Sequence, residues 1–376
     1  MGPENPLPAT KCNHTHSFSD FILGSFYEIA AVEIMKAVVF HEFGGIDRLQ
    51  YEDRPDPKIR DGEVLVRVRA CALNHLDIWA RMGTRAQRIP MPHISGSDIS
   101  GEIVQLGNKP LHHQNGEKVL LAPGISCGIC NYCNNGWDSL CEHYEIIGYE
   151  TQGGYAEYVS VPVENLLPIP DGLSFEQAAS IPLVFLTAWH MLMTRANLKP
   201  AETVLVWGAG SGVGSAAIQV SKLLNCKVIA TAGNEEKLMK AKQLGADWTI
   251  NHHKEDVPDR VKELTKGYKA DVVFDHIGQA TWEKSMRSMA PGGRLVNCGV
   301  TSGGKAEVDI RYVFVKQFSL LGSYMGGRGE LLKVMSFFDD GRLKPVVDSV
   351  FPLKDAALAQ SRMEHSEHFG KIVLSV

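Results

Sequence analysis

The sequence of 376 residues predicts an α/β fold in which a β-rich lobe precedes a doubly wound parallel sheet. Between residues 35 and 161, short alternating apolar runs are separated by Gly, Pro and Asp, a pattern typical of a compact β lobe. From Thr203 to Leu321, apolar strands alternate with segments of helical spacing, which is typical of a parallel sheet covered by helices. Apolar residues make up 44% and charged residues 22%, as in ordinary globular proteins.

A glycine-rich turn is the strongest local signal in the chain. The strand from Thr203 leads directly into this turn, and a helix-compatible segment and a second strand follow as far as Ala232. Such a βαβ unit is typical of a dinucleotide-binding fold, because glycines let the backbone approach a pyrophosphate at a helix N-terminus. The third glycine of the usual fingerprint would fall on Val213 or Ser215, but the position between strand and helix favours nucleotide binding over a flexible loop. The candidate cofactor-binding residues in the turn are Gly208, Gly210, Ser211, Gly212, Val213 and Gly214.

Charge and hydropathy exclude several classes of function. The net charge is −5 and no Lys/Arg-rich run offsets it, so we expect no nucleic-acid partner. No run of 18 apolar residues exists, so we expect no membrane span. Residues 1–34 resemble an extension, expected to be partly disordered, without the basic start of a secretory signal, and we therefore expect a cytoplasmic protein.

Four cysteines are crowded between Cys127 and Cys141. Their spacing, Cys127-x2-Cys130-x2-Cys133-x7-Cys141, places four thiolates in one short loop, in which glycines supply the turns. A soft divalent ion held by four sulfurs is the natural occupant, and zinc is the commonest such ion. Two disulfides are the alternative, but a reducing compartment disfavours them. Four sulfurs leave no open position, so we expect one structural zinc ion that takes no part in chemistry.

The β lobe with its four-cysteine loop, followed by the βαβ nucleotide unit, resembles the medium-chain dehydrogenase/reductase superfamily. The resemblance extends from Met35 to Val376 and includes the run Gly153-Gly154-Tyr155-Ala156-Glu157-Tyr158. It implies a GroES-like catalytic domain at residues 35–187 with the zinc loop at 124–148. It further implies a Rossmann domain at residues 188–323, a return to the catalytic domain at 324–376, and a homodimer.

The resemblance also implies that the ligands of the active-site zinc found in the alcohol dehydrogenases of this superfamily are missing. By the family pattern their positions fall at Asn74, Ser97, Asp98 and near Leu183. Of these only Asp98 is a good ligand, and one carboxylate cannot replace two thiolates and an imidazole for zinc. Asn74 and Asp98 instead resemble the corresponding positions of quinone reductases. The alternative is a non-standard metal site, whose residues would be Cys71, His75, His93 and Asp98.

The end of the second strand bears on which nicotinamide cofactor binds. NAD enzymes usually carry Asp or Glu about 20 residues past the glycines, but this place lies at Ala232, and Asn234 and Lys237 follow. Because a carboxylate would repel a 2′-phosphate whereas Asn and Lys tolerate or bind one, we expect NADPH, with NADH possible. His252 could join them at the phosphate. Gly299 and Thr301 should lie beside the nicotinamide.

The sequence therefore predicts an NADPH-dependent reductase, similar to quinone and enoyl reductases, that acts on a quinone or an α,β-unsaturated carbonyl compound. The candidate residues around the acceptor are Asn74, Trp79, Arg85 and Asp98. Arg85 stands where related mitochondrial enoyl reductases carry a tyrosine proton donor, so Asp77 and His75 are the remaining possibilities for the proton. Two alternatives stay open: an alcohol dehydrogenase with a non-standard metal site, and a nucleotide-binding protein without turnover.

Overall fold

A computed structural model of the chain describes residues 33–84, 88–108 and 112–376. Residues 1–32, which form most of the expected extension, and Arg85 lie outside the described residues. The elements of the first half are the strands of a β lobe and four short helices. They are β1 (Ile34–Val39), β2 (Gln50–Pro55), β3 (Glu63–Ala72), α1 (His75–Arg81), β4 (Asp98–Leu106), β5 (Lys118–Leu121), β6 (Gly124–Ile125), α2 (Asn131–Asn134), β7 (Glu145–Ile146), β8 (Tyr158–Pro162), β9 (Leu166–Pro168), α3 (Phe175–Ala179) and α4 (Pro182–Trp189).

The second half alternates strands and helices and then adds four further elements. The alternating part consists of β10 (Thr203–Val206), α5 (Gly212–Leu223), β11 (Lys227–Ala232), α6 (Glu235–Gln243), β12 (Trp248–Asn251), α7 (Val257–Leu264), β13 (Ala270–Asp275), α8 (Trp282–Ser288), β14 (Met289–Asn297), α9 (Ile310–Val315) and β15 (Ser319–Gly322). The remaining elements are α10 (Arg328–Asp339), β16 (Val347–Pro352), α11 (Ala356–Glu364) and β17 (Lys371–Ser375).

Two sheets organise these elements. The second half contains a six-stranded parallel sheet in the order β12-β11-β10-β13-β14-β15, as in doubly wound folds. The β lobe contains a seven-stranded sheet in the order β16-β17-β3-β4-β5-β9, with β8 paired to β3. Two strands of this sheet, β16 and β17, come from the C-terminal part of the chain, and β17 pairs antiparallel with β3 through Val373 and Ala72. The mixed α/β architecture predicted from the sequence is therefore confirmed.

Two local predictions can be compared with the structure. The sequence predicts a helix that begins after Ser174 and runs through Ala188, with Pro182 kinking or restarting it. The structure has the restart, because Pro182, which lacks an N–H group, begins α4 instead of continuing α3. The sequence also predicts a turn at the run Pro291-Gly292-Gly293. In the structure this run lies within β14, where the register against β13 shifts between Ala270 and Val272. Proline is tolerated in a strand at such a bulge.

Apolar cores bury both large sheets, and the core beneath the parallel sheet also takes in Leu120 and Leu167 of the β lobe. Strands β3 and β4 contribute Val66 and Ile103 to one core, and β10 and β13 contribute Val204 and Phe274 to the other. Among the described residues, no helix has both the length and the apolar character that crossing a bilayer requires. The strand β15 is an edge of the parallel sheet, and exposed apolar side chains of α9 lie just before it in the chain. The expected homodimer stays a prediction.

Candidate active site and metal loop

A cleft of about 640 Å³ lies between the two lobes, at the carboxyl ends of the parallel strands. In open α/β sheets this edge is where ligands bind. The structure brings thirteen of the sequence-predicted site residues together along the cleft. They are Asn74, Trp79, Gly208, Gly210, Ser211, Gly212, Val213, Ala232, Asn234, Lys237, His252, Gly299 and Thr301.

The other predicted site residues that the structure describes do not line the cleft. Gly214 lies in the first turn of α5, where its N–H donates to Ser211 Oγ at 2.9 Å. Asp98 is fully buried behind Asn74. Arg85 lies outside the described residues. The four cysteines form a separate loop.

The glycine turn has the shape of a cradle for a pyrophosphate. Gly208 has φ +60°, which favours glycine. A Cβ at Gly210 would lie 2.9 Å from Lys237 Cδ, and one at Gly212 would lie 2.8 Å from Lys371 Cδ. The first-turn N–H groups of α5, including that of Val213, have no earlier carbonyl within the helix to accept them. These residues fit a dinucleotide, because free N–H groups at a helix N-terminus bind phosphate.

The end of β11 carries no acidic side chain toward the cleft. Asn234 Oδ1 accepts the N–H of Lys237 at 2.9 Å and thereby caps α6. The carboxylate of Glu235 points away from this place, because its Oε1 accepts from Asn251 Nδ2 and from Lys254 Nζ, each at 3.1 Å. Burial lowers the pKa of His252 to about 4, so this imidazole is neutral near pH 7. Among the described residues that line the cleft there are two lysines and six histidines but no Asp or Glu, so the cleft suits an anionic ligand.

Asn74 and Lys371, which line the cleft, form a buried hydrogen-bonded group with Asp98 behind them. Asn74 Oδ1 accepts from Lys371 Nζ at 2.6 Å, and Asn74 Nδ2 donates to Asp98 Oδ2 at 3.0 Å. Lys371 Nζ also donates to Asp98 Oδ2 at 2.8 Å and to Leu73 O at 2.6 Å. The second oxygen of Asp98 accepts the backbone N–H of Leu183 at 2.8 Å. Of the positions that the resemblance gives to metal ligands, Asn74 thus supplies an amide and Asp98 a carboxylate, and the ammonium group of Lys371 lies against both.

This donor set does not fit a zinc ion, since it offers no thiolate and no imidazole. Cys71 is buried in the β-lobe core, and burial raises the pKa of its thiol well above the ordinary value. His93 is fully buried, with Nε2 3.1 Å from Gly148 O, and burial lowers its pKa to about 4. Among the described residues, the four cysteines alone form a convergent group of three or more such ligands. The alternative site of Cys71, His75, His93 and Asp98 is therefore not assembled.

The two candidates for proton transfer lie in different places. Asp77 is fully buried and accepts from Asn74 N at 2.8 Å, Gly96 N at 3.2 Å and Tyr155 Oη at 3.1 Å. Burial raises the pKa of Asp77 to about 6, but the carboxyl group does not line the cleft. His75 does line the cleft, and burial lowers its pKa below the ordinary value. Its ring meets Trp79 edge-on, with the centroids 5.9 Å apart.

Sequence reasoning missed several residues of the cleft. Lys371 gave no signal beyond a Gly-Lys pair before the last strand, because it lies 273 residues from Asp98. His276 follows β13 and contacts the glycine turn, with Nε2 3.1 Å from Ser211 Oγ. Thr187 lines the cleft with a buried hydroxyl that has no hydrogen-bond partner among the described residues. Cys298 also lines the cleft, and burial raises its pKa to about 12, so it is a thiol.

The four cysteines converge as the spacing predicted. Their Sγ atoms all lie within 4.8 Å of one another; Cys127 and Cys133 are 3.9 Å apart, and Cys130 and Cys133 are 3.5 Å apart. Four sulfurs around one tetrahedral zinc at about 2.3 Å would be about 3.8 Å apart, so the cluster fits this ion. Backbone N–H groups of Ile129 and Cys130 stabilise the thiolate and lower the pKa of Cys127 to about 6.

The cysteine loop packs against the chain that follows β15. Asp138 Oδ2 accepts the N–H of Arg328 at 2.7 Å. Tyr144 meets Tyr324 edge-on, with the ring centroids 6.1 Å apart, and Tyr324 lines the cleft. The loop therefore contacts the outer wall of the cleft, and its end contributes the apolar side chain of Ile146 to the lining.

Comparisons with known proteins agree with this architecture. A family model described as alcohol dehydrogenase GroES-like domain matches residues 60–171, and one described as zinc-binding dehydrogenase matches residues 212–340. An alcohol dehydrogenase of Geobacillus stearothermophilus is 34% identical over 344 residues, which cover 91% of this chain and 100% of the relative. A quinone oxidoreductase of Homo sapiens is 29% identical over 350 residues, which cover 91% and 98%. The crystal structure of an NAD-dependent alcohol dehydrogenase is 45% identical with a TM-score of 0.88, and the match covers 91% of this chain and 100% of that one.

Proposed function

Since the chain belongs to the medium-chain dehydrogenase/reductase superfamily of NAD(P)-dependent oxidoreductases, we propose that it uses NADPH to reduce a quinone or an α,β-unsaturated carbonyl compound. The observation that carries this proposal is the group of Asn74, Asp98 and Lys371 at the place expected for an active-site metal. A conjugated acceptor needs no Lewis acid, because the charge left by hydride addition spreads onto its oxygen. An amide hydrogen can stabilise that charge.

In this proposal Asn74 is the donor to the acceptor oxygen. A reduced nicotinamide supplies the hydride when it is bound. One hydrogen of the Asn74 amide is held by Asp98, whereas the other faces Ala72 O at 3.5 Å, which is long for a hydrogen bond. This second hydrogen is the one that we assign to the acceptor. His75, which lines the cleft beside Asn74, is the candidate for proton transfer, because Asp77 lies behind the wall.

The preference for NADPH is supported by the charge of the cleft. Lys237 lies beside the glycine turn, and the residue at the end of β11 is Ala232, not an acid. His252 and His253 stand over Gly233, with the ring of His253 2.7 Å from the position of an added Cβ. A 2′-phosphate would meet hydrogen-bond donors there, since none of the described residues that line the cleft is Asp or Glu. The 45% identical relative is described as NAD-dependent, so the cofactor needs a direct test.

A substitution at the end of β11 tests the cofactor. Ala232→Asp should shift the ratio of NADPH to NADH affinity toward NADH by roughly 10- to 100-fold, because a carboxylate repels the 2′-phosphate and holds free ribose hydroxyls. Fluorescence titration of both cofactors measures the ratio. Ala306→Asp adds the same charge at an exposed position outside the cleft and should leave the ratio unchanged. Equal or tighter NADH binding by the parent protein would contradict the proposal.

Alcohol oxidation is the second candidate function, and the similarity to alcohol dehydrogenases favours it. An alcohol must lose its hydroxyl proton as the hydride leaves, and a bound metal normally makes that possible near neutral pH. The residues at Asn74, Asp98 and Lys371 supply no such ion, so alcohol oxidation would require another metal site.

One panel of assays separates the two functions. NADPH and NADH oxidation is followed with quinones and enones, and NADP⁺ and NAD⁺ reduction is followed with primary and secondary alcohols, on protein of measured zinc content. We expect turnover with conjugated acceptors and negligible oxidation of simple alcohols. Brisk alcohol oxidation that a chelator abolishes, together with two zinc ions per chain, would replace the reductase assignment.

A further inference from the structure

Lys371, which the sequence did not single out, is bonded to two of the candidate site residues, Asp98 and Asn74. We propose that Lys371 is a positioning residue, whose ammonium group holds Asp98 and Asn74 in the arrangement that a metal ion would otherwise impose at this place. The inference rests on the proposed function in one respect, since Asn74 is the group whose orientation matters. It concerns a residue 273 positions away in the sequence from its carboxylate partner.

The ammonium group has no hydrogen left for a substrate. Its three N–H bonds are directed to Leu73 O at 2.6 Å, Asn74 Oδ1 at 2.6 Å and Asp98 Oδ2 at 2.8 Å. The side chains of Lys371 and Asp98 are 3% and 0% exposed, so water does not compete for these bonds. Lys371 therefore acts through the residues that it holds, and not by contact with the acceptor.

The orientation of the Asn74 amide depends on this ammonium group. An amide can turn by half a rotation and exchange its oxygen with its nitrogen at small cost in shape. Lys371 can only donate and the Asp98 carboxylate can only accept, so together they permit one orientation, with the Asn74 oxygen toward Lys371. In that orientation the second amide hydrogen is the one near Ala72 O. Without the ammonium group, Asp98 alone restrains the Asn74 amide, and the Asn74 oxygen loses the donor that fixes its direction.

Lys371 also connects the acceptor side of the cleft with the cofactor side. Its Cδ lies 2.8 Å from the position of a Cβ on Gly212, so the lysine stem covers the glycine turn. The preceding residue, Gly370, donates its N–H to Gly210 O at 2.9 Å. The same two residues thus fix the distance between the turn that would hold the pyrophosphate and the amide that would hold the acceptor.

A double-substitution cycle separates positioning from simple stability. Lys371→Met removes the charge and keeps most of the stem, and it leaves Asp98 as a buried charge without its partner. We expect this variant to lose roughly 5–10 °C in Tm and about 100-fold in kcat. Asp98→Asn combined with Lys371→Met restores electroneutrality, so we expect most of the Tm loss to be recovered while kcat stays low. Recovery of kcat with Tm, or a Lys371→Met variant as fast as the parent, would overturn the proposal.

Chemical rescue supplies the second, independent readout. Lys371→Ala leaves room for a small cation, and ethylammonium should raise kcat in a saturable way, by about 10-fold or more, because it can donate to the same three acceptors. Tetramethylammonium at equal ionic strength carries the charge but no N–H group, and it should not raise kcat. Rescue by both ions, or by neither, would contradict the hydrogen-bonding role. Because all variants are assayed with whichever acceptor the parent turns over, a wrong substrate class leaves the comparison intact.

Discussion

The cysteine loop and the Asn74–Asp98–Lys371 group are two solutions to the same task, which is to hold several polar groups around one positive charge. In the loop the groups are four sulfurs from one stretch of chain, three of them half-buried, and the fitting charge is a metal ion. In the active site the groups come from two places, the junction of β3 with α1 and the start of β4, and they are almost fully buried. The charge there is part of the chain, since it belongs to Lys371 at the start of β17. The first charge can be removed by a chelator, whereas the second can be removed only by substitution.

The largest expected effect concerns the loop. Cys130→Ser should reduce the zinc content from one ion per chain to nearly none and lower Tm by roughly 10 °C, because the ion contributes to the folding of the loop. Elemental analysis and thermal unfolding measure the two quantities. Cys226→Ser is the matched control, since Cys226 is buried outside the cluster and its contact to Lys199 O suits a hydroxyl. Two zinc ions in the parent, or full zinc retention by Cys130→Ser, would erase the contrast between the two regions.

A smaller effect is expected when the active-site group loses its donor. Asn74→Ala should lower kcat with a conjugated acceptor by roughly 10²- to 10³-fold, the usual result of losing one donor to a developing oxyanion. Zinc content and NADPH affinity should change little, which separates this variant from Cys130→Ser. Steady-state kinetics with an enone or quinone provide the measurement. A variant with the kcat of the parent would remove Asn74 from the mechanism.

The smallest predicted effect concerns stability, which should depend on pH in opposite directions at Asp77 and at the cysteine loop. Asp77, which accepts the N–H of Asn74, has a pKa of about 6 when folded against an ordinary value of 3.8. The folded chain therefore binds more protons than the unfolded chain between these values, and the stability due to Asp77 falls as the pH rises through this window. The change amounts to about 2–3 kcal/mol. For the cysteine loop the sign is opposite, because protons compete with zinc for the thiolates.

Thermal unfolding of the parent and of Asp77→Asn between pH 4.5 and pH 7.5 measures this difference. The advantage of the parent over the variant should be largest at the acid end. Zinc loss from both proteins should increase toward the same end, and a zinc-sensitive dye can follow it separately. A parent advantage that grows with pH would show that Asp77 is ionised at no cost in the folded protein.

The same contrast explains what could be predicted from the sequence. The cysteine spacing and the glycine turn are local patterns, so each identified its chemistry without knowledge of the fold. The Asn74 and Asp98 positions came from family resemblance, and the structure adds that Asp98 is paired. Lys371 could not be predicted, because only the pairing of β17 with β3 brings it to Asn74. Pro182 was recognised as a break, but whether it bends or restarts a helix depends on packing around α4.

The strand pair at the base of the cysteine loop has a consequence for how such a loop can be gained or lost. Gly124 and Ile125 of β6 pair with Ile146 and Glu145 of β7, so the two ends of the loop meet side by side. The residues between β6 and β7 thus leave the lobe and return to it at the same point. Their removal would change neither the connections between the other strands nor the register of the seven-stranded sheet. A short turn grafted between β6 and β7 should keep the Asn74–Asp98–Lys371 group, but it would remove the contacts of the loop with Tyr324 and Arg328. It would also remove Cys141 and Tyr144 from the apolar cluster that they share with Phe40 and Ile89. The loop therefore leaves and rejoins the lobe at one strand pair, whereas Lys371 reaches the active site only because β17 pairs with β3.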